Sequence, residues 1–147
     1  MKNIIVERDN IARKVVELVN TFEACPCACT YQNLGTEAVN LSLASLASAP
    51  RIEEDVTGGY TGEFAFAIYL RVFPDDSDDR LDCEQLLTEL GEYITSEGET
   101  LKLDGGRVVD EIEKTQTAAL IARADDGSVT YQAIFSLRYE AKIFGGL

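Results

Sequence analysis

An alternating apolar stretch near the middle of the chain constrains the fold more than any other feature. Between residues 60 and 73 the sequence reads YTGEFAFAIYLRVF, with a large apolar side chain at every second position from Phe64 to Val72. Successive side chains of a β-strand point to opposite faces, so these residues share one face. They are Phe64, Phe66, Ile68, Leu70 and Val72, whereas Glu63, Tyr69 and Arg71 point the other way. The pattern predicts a central strand of a sheet whose apolar face is covered.

A pair of glycines before this stretch predicts a hairpin. Ile52 to Thr57 is a short extended run, and Gly58 and Gly59 separate it from the long strand. Glycine adopts positive φ at no steric cost, which tight hairpin turns require. An earlier strand is predicted over 38–46, where apolar and polar residues alternate before Pro50.

The remainder of the chain predicts two helices and a second hairpin. Apolar residues recur at helical spacing over 4–23, and Pro26 requires that helix to end at or before Cys25. A helix of about five turns, capped by Ser77 or Asp78, follows the long strand. Its inner stripe is Leu86, Leu87, Leu90 and Ile94. Strands over 107–123 and 129–143 form the second hairpin, and its turn is Asp125-Asp126-Gly127. The last strand places five apolar or aromatic residues on one face: Tyr131, Ala133, Phe135, Leu137 and Tyr139.

These elements place the chain in the α+β class. We expect a single domain over residues 1–147, with an antiparallel or mixed sheet of four to five strands and two helices packed on one face. A chain of 147 residues can bury a sufficient core without disulfides or metals.

The chain carries a net charge of −13, and much of the excess is local. Residues 75–99 contain ten acids against one base, Arg80. A freestanding nucleic-acid binder normally carries a basic patch, so this class is disfavoured. The acids fit a solvated helix face, or a surface that repels another polyanion or docks a basic partner. The candidates for that surface are Asp75, Asp76, Asp78 and Asp79.

Several residue types that carry catalysis are missing. The chain has no histidine, which excludes Ser-His and Cys-His nucleophilic schemes and imidazole ligands. Its glycine pairs do not form a phosphate-binding loop. We therefore expect a protein that is not an enzyme and has no cofactor. No apolar run approaches the ~20 residues that span a bilayer, and the charged N-terminus lacks a signal-peptide core. We therefore expect a protein that does not engage a membrane and that is kept in the cytoplasm or assembled there into something larger.

Three of the four cysteines lie close together in the segment ACPCACT. Cys25, Cys27 and Cys29 would share one side of an extended segment, and Cys83 could complete a four-thiolate zinc site. Zinc sites more often pair ligands as Cys-x₂-Cys, so the segment is predicted to connect two elements and to carry partly buried thiols. Cys83, one turn before Leu86 and Leu87, is predicted to be a small core residue. A small cysteine-dependent metal or redox protein is the alternative from a different class.

The segment DVTGGYTGEFAFAIYLRV, residues 55–72, resembles the hairpin of phage minor capsid proteins grouped with the tail terminators of long-tailed phages. The shared pattern is a Gly-Gly-Tyr turn before an alternating aromatic strand that ends in Tyr-x-Arg-Val. The similarity continues through LLTEL at 86–90 and VTYQAIFSLRYEAK at 129–142, which resembles the family's closing Tyr-Gln-x-x-Phe-x-Leu-x-Tyr pattern. It covers nearly the whole chain, although the cysteine segment is outside the pattern.

The resemblance implies a structural virion protein, assembled in the host cytoplasm, that caps the tail tube. Such proteins form a ring, usually of six subunits, which halts tube growth and joins the DNA-filled head. The chain would be a homo-oligomer that forms a six-subunit ring on assembly, whether or not it is a monomer in solution. It would contact tail-tube and head-completion proteins and would let DNA pass without specific binding. Another phage neck component is the alternative within this class.

A ring uses two different patches on each subunit. Exposed hairpin turns are suited to such contacts, and the candidate here is the turn of Thr57, Gly58, Gly59, Tyr60 and Thr61. An ordinary solvent-exposed hairpin turn is the other interpretation.

Overall fold

Two helices lie against one face of a mixed β-sheet, which confirms the predicted α+β class. The structure, a computed structural model, describes residues 2–25, 27–31, 39–46, 53–54, 59–73, 77–103 and 107–141. The elements are α1 (Lys2–Val19), β1 (Cys29–Tyr31), β2 (Asn40–Ser45), β3 (Glu53–Glu54), β4 (Tyr60–Val72), α2 (Ser77–Glu97), a 3₁₀ turn (Gly98–Thr100), β5 (Arg107–Arg123) and β6 (Val129–Ala141).

Five strands lie in the order β1-β2-β4-β6-β5, and the two-residue β3 pairs with the start of β4. β1 is parallel to β2, whereas the other pairs are antiparallel. The long strand β4 lies inside the sheet and pairs with β6 from Tyr60 to Val72. Its alternation is therefore that of a strand with one covered face, as the sequence predicts. β1 and β5 form the two edges.

The core lies between the helices and the inner face of β4 and β6. Phe64, Phe66 and Ile68 on β4 are fully buried, as are Phe135 and Leu137 on β6. The Phe66 and Phe135 rings, which face each other across the two strands, stack at 5.2 Å between centroids. From the helices the core receives Ile11, Ala12, Val15, Val19, Leu87, Leu90 and Ile94.

The second hairpin has the predicted turn. Gly127 has φ of 92°, a conformation that glycine adopts readily. Asp126 Oδ1 accepts hydrogen bonds from the Ser128 backbone N–H at 2.9 Å and from its hydroxyl at 2.7 Å. These bonds favour the ionised carboxylate and lower the pKa of Asp126 below its ordinary value. Side-chain and backbone bonds together define the turn between β5 and β6.

The first hairpin is confirmed by its pairing. Glu53 pairs with Thr61 and Glu54 with Tyr60 in antiparallel register. The predicted strand over 52–57 is described only at Glu53–Glu54, and most of the predicted turn, including Gly58, lies outside the described residues.

The cysteine segment corrects the prediction in one respect. We expected it to be a connection throughout, but Cys29 begins β1, which pairs with Leu41–Leu43 of β2. The Asn20 side chain accounts for this change: its Oδ1 accepts from the Cys29 backbone N–H at 2.8 Å, and its Nδ2 donates to the Cys29 carbonyl at 3.5 Å. Asn20 follows the last residue of α1, which ends at Val19 and not at residue 23.

Candidate assembly surfaces

The predicted contact turn is only partly available to a partner. Thr57 and Gly58 lie outside the described residues, and Gly59 and Tyr60 are buried. The Tyr60 ring packs edge-on against Tyr139 at 6.4 Å between centroids. Thr61 is half-buried and pairs with both Glu53 and Glu140. A role for this turn in assembly stays a prediction.

The acidic segment forms α2 and displays its charge to solvent. Asp75 and Asp76 lie outside the described residues, whereas Asp78 and Asp79 are in the first turn of α2. Further along, six acids are exposed: Asp82, Glu84, Glu89, Glu92, Glu97 and Glu99. Within the described ranges none of these six is paired with a base. The segment therefore presents negative charge that added salt would screen.

The three clustered cysteines lie where α1 meets the edge of the sheet. Cys25 and Cys27 are half-buried, Cys29 is buried, and Cys25 Sγ donates to the Cys27 carbonyl at 3.1 Å. Cys83 is half-buried on α2 and packs against the core, as predicted. No disulfide joins the four, all of which are described. Among the described residues, no group of three cysteines or acids is arranged to hold a metal ion.

Burial makes Cys29 the least reactive of the clustered thiols. Loss of hydration, with smaller contributions from Cys25 and Cys27, raises its pKa from 9.0 to about 12. Burial also raises the pKa of Cys25. Since the thiolate is the nucleophile, this raised pKa keeps the Cys29 thiol protonated near pH 8 and so lowers its reactivity.

We therefore expect iodoacetamide at pH 8 to label Cys27 and Cys25 well before Cys29, and all four cysteines equally in denaturant. Peptide mass spectrometry after a short pulse measures this order. Labelling of Cys29 first in the folded protein would contradict it.

The folded chain retains the Cys29 proton to higher pH than the unfolded chain does. The free energy of unfolding should therefore decrease as the pH rises from about 9 towards about 12.

Sequence patterns did not reveal the two edges of the sheet as possible contact sites. Four large apolar residues are exposed in the described part of the chain: Tyr31, Phe73, Val108 and Ile121. Tyr31 lies on the edge strand β1, and Val108 and Ile121 lie on the edge strand β5. The sequence did not predict that Tyr31 and Ile121 are exposed. Tyr31 lies in β1, which was not predicted, and Ile121 lies in β5, a strand without clear alternation.

No helix in the described ranges is long and apolar enough to cross a membrane.

The fold of this chain is similar to that of a chain from the virion of a gene transfer agent particle. No protein-family model matches the sequence, and no curated protein matches it. A chain from the virion of a native gene transfer agent particle superposes with a TM-score of 0.59 at 14% identity, over 91% of this chain and 94% of its own length. A second solved chain aligns over 98% of this one at 18% identity, but its TM-score of 0.46 is too low to support an argument. The first similarity establishes that a virion protein has this fold along nearly its whole length.

Proposed function

We propose that the chain is a non-enzymatic structural protein of a phage-like virion. In this role it caps the tail tube as a ring, and the ring forms the head–tail joining surface through which DNA passes. The observation that carries the proposal is the shared fold with a chain of a gene transfer agent virion, because it covers nearly all of both chains. The similarity of residues 55–72 and 129–142 to tail terminators supports the more specific role.

The charge of the chain supports passage of DNA without binding. The exposed acids of α2 repel a polyanion, and the chain as a whole has 26 acids and 13 bases. We therefore propose that α2, including Asp78 and Asp79, contributes an acidic face that lines the passage or docks a basic neighbour. A ring of six would carry about six times −13, or −78, so its assembly should be favoured by salt.

The sheet supports assembly as a ring. A ring subunit needs two different contact patches, and the opposite edges β1 and β5 differ in length, side chains and backbone geometry. The neighbours above and below the ring would be tail-tube and head-completion proteins.

Removal of the gene tests the function. Particles are produced from the genetic element that encodes the chain, with the gene intact, deleted, or deleted and restored from a plasmid. Without the chain we expect DNA-filled heads separate from tails, and tails of irregular length, in electron micrographs. Restoration should return joined particles. Joined, infective or DNA-delivering particles in the deletion would contradict the proposal, whereas tails of normal length that fail to join heads would assign the chain to another neck position.

A further inference from the structure

We infer that the side chain of Asn20 caps the β1 edge of the sheet and prevents a strand of another chain, including a second copy of this one, from pairing with β1. The cap is a property of the single chain and does not rest on the proposed function. It acts on the backbone of β1 alone. Side chains at that edge, such as Tyr31, therefore stay open to a neighbouring subunit.

The Asn20 amide makes the bonds that a further strand would make. Its Oδ1 accepts from the Cys29 backbone N–H at 2.8 Å, and its Nδ2 donates to the Cys29 carbonyl at 3.5 Å. A side-chain amide carries both a donor and an acceptor, so it can satisfy both backbone groups of one strand residue. Asn20 is itself exposed, so its amide lies between β1 and solvent, where the next strand of the sheet would lie.

The cap takes one of only two pairing positions on this edge. In a strand, the N–H and C=O of one residue point to the same side, and those of the next residue point to the other. β1 has three residues, and the backbone groups of Cys29 point away from β2 towards Asn20. Those of Tyr31 point the same way, whereas those of Thr30 point to β2. With Cys29 capped, only Tyr31 could bond an incoming strand, and so short an edge does not hold one.

Among the described residues, β1 itself carries none of the usual protections of an edge strand, which are charges, prolines and bulges. Its sequence is Cys-Thr-Tyr, and it pairs with β2 without a register shift. The opposite edge differs, because four register shifts interrupt β5 and Lys102 bridges Val108 near its start. Asn20 therefore provides for β1 the protection that the irregular register provides for β5.

The end of α1 holds Asn20 in this position. The helix ends at Val19, and the Asn20 backbone N–H still donates to the Val16 carbonyl at 3.0 Å. Thr21 has a different role in the same turn: its hydroxyl bonds to the Leu18 carbonyl and to the Tyr93 hydroxyl, both at 2.6 Å. Thr21 thus connects the turn to α2, and Asn20 connects it to β1.

Removal of the amide tests the cap. Asn20→Leu keeps the approximate shape of the side chain and removes its donor and acceptor. Sedimentation velocity is measured in ~0.5 M salt, which screens repulsion between the chains. We expect the variant to self-associate at a concentration about tenfold or more below that of the parent chain. Thr21→Val is the matched control, since it removes the hydroxyl bonds of the same turn and should sediment as the parent chain does.

A second substitution locates the new contact. Tyr31→Pro removes the remaining N–H from the open side of β1, a position at which a sheet tolerates proline. Added to Asn20→Leu, it should return association to the level of the parent chain. Association that persists in this double variant, or that Thr21→Val causes equally, would overturn the inference. A folded Asn20→Leu chain that associates no more than the parent would do the same.

Hydrogen exchange tests the cap in the parent chain, where no variant has to fold. The Cys29 amide should be protected although it points away from the sheet. In Asn20→Leu it should exchange about tenfold faster, as loss of one hydrogen bond of typical net strength allows. In Asn20→Asp it should stay protected, because a carboxylate accepts the same bond. Rapid exchange of the Cys29 amide in the parent chain would reject the cap and leave the proposed function unaffected.

Discussion

Replacing Phe135 with alanine is expected to lower the free energy of unfolding by about 3–5 kcal/mol. Phe135 has no exposed surface, and its ring stacks on Phe66 with an interplanar angle of 18°. Its edge reaches α2, where a β-carbon on Gly91 would lie 3.2 Å from Phe135 Cζ. The side chain therefore joins both central strands to the second helix, and its loss leaves a cavity between tightly packed layers. The expected fall in Tm is roughly 6–20 °C.

Phe73→Ala is the matched control for this substitution. It removes the same side chain from a position that is 44% exposed and lies just after β4. We expect its effect on unfolding in urea to be well below that of Phe135→Ala, because little buried area is lost. Equal losses from the two variants would contradict the placement of Phe135 at the centre of the core.

Gly98→Ala is expected to destabilise the fold by about 1–3 kcal/mol through overpacking. A β-carbon at Gly98 would clash with Cδ1 of Ile112 and would lie 3.1 Å from its Cγ1. Gly98 is buried at the start of the 3₁₀ turn, and Ile112 is a core residue of β5, so neither side can move away easily. Chemical denaturation of the variant measures the loss.

A double-mutant cycle with Ile112→Val identifies the cause. Valine lacks the Cδ1 atom that makes the closest contact, and alone it should cost about 0.5–1.5 kcal/mol. The double variant should lose about 1 kcal/mol less free energy of unfolding than the sum of the two single losses. Additive effects would show that Gly98 is needed for its backbone and not for its proximity to Ile112.

The sequence was most informative where one face of an element is buried. The alternation in β4 and β6 and the stripe of Leu87, Leu90 and Ile94 in α2 predicted those elements because burial imposes the period of the backbone on the residues. The turn at Gly127 was predictable because its chemistry is local. For these elements the predicted and observed bounds agree closely.

Elements that depend on distant partners were not predictable. β1 is three residues long, carries no periodic signal, and is held by pairing with β2 and by the Asn20 side chain. The register shifts of β5 arise because 17 residues pair with the 13 of β6, and they have no local signal.

The candidate sites were likewise predictable where the signal is local in the sequence, and not where it depends on the fold. The acidic segment was identified by composition, and the structure adds that six of its acids are exposed around α2 and the turn that follows. The spacing of Cys25, Cys27 and Cys29 made a metal site one interpretation of the sequence. In the fold, Cys25 and Cys27 lie in the turn before β1, and Cys29 is the first residue of β1. The hairpin turn at Gly59 and Tyr60 is more buried than its sequence suggested, since the alternation of β4 extends to its first residue.

The position of the chain in purified particles shows whether it forms a ring between head and tail. Particles carrying a small tag on the chain are imaged by cryo-electron microscopy, and chain copies are counted by quantitative mass spectrometry. We expect one ring of density at the junction of head and tail, in a copy number far below that of the tube protein. Density repeated along the tail, or particles that contain no copy of the chain, would contradict it.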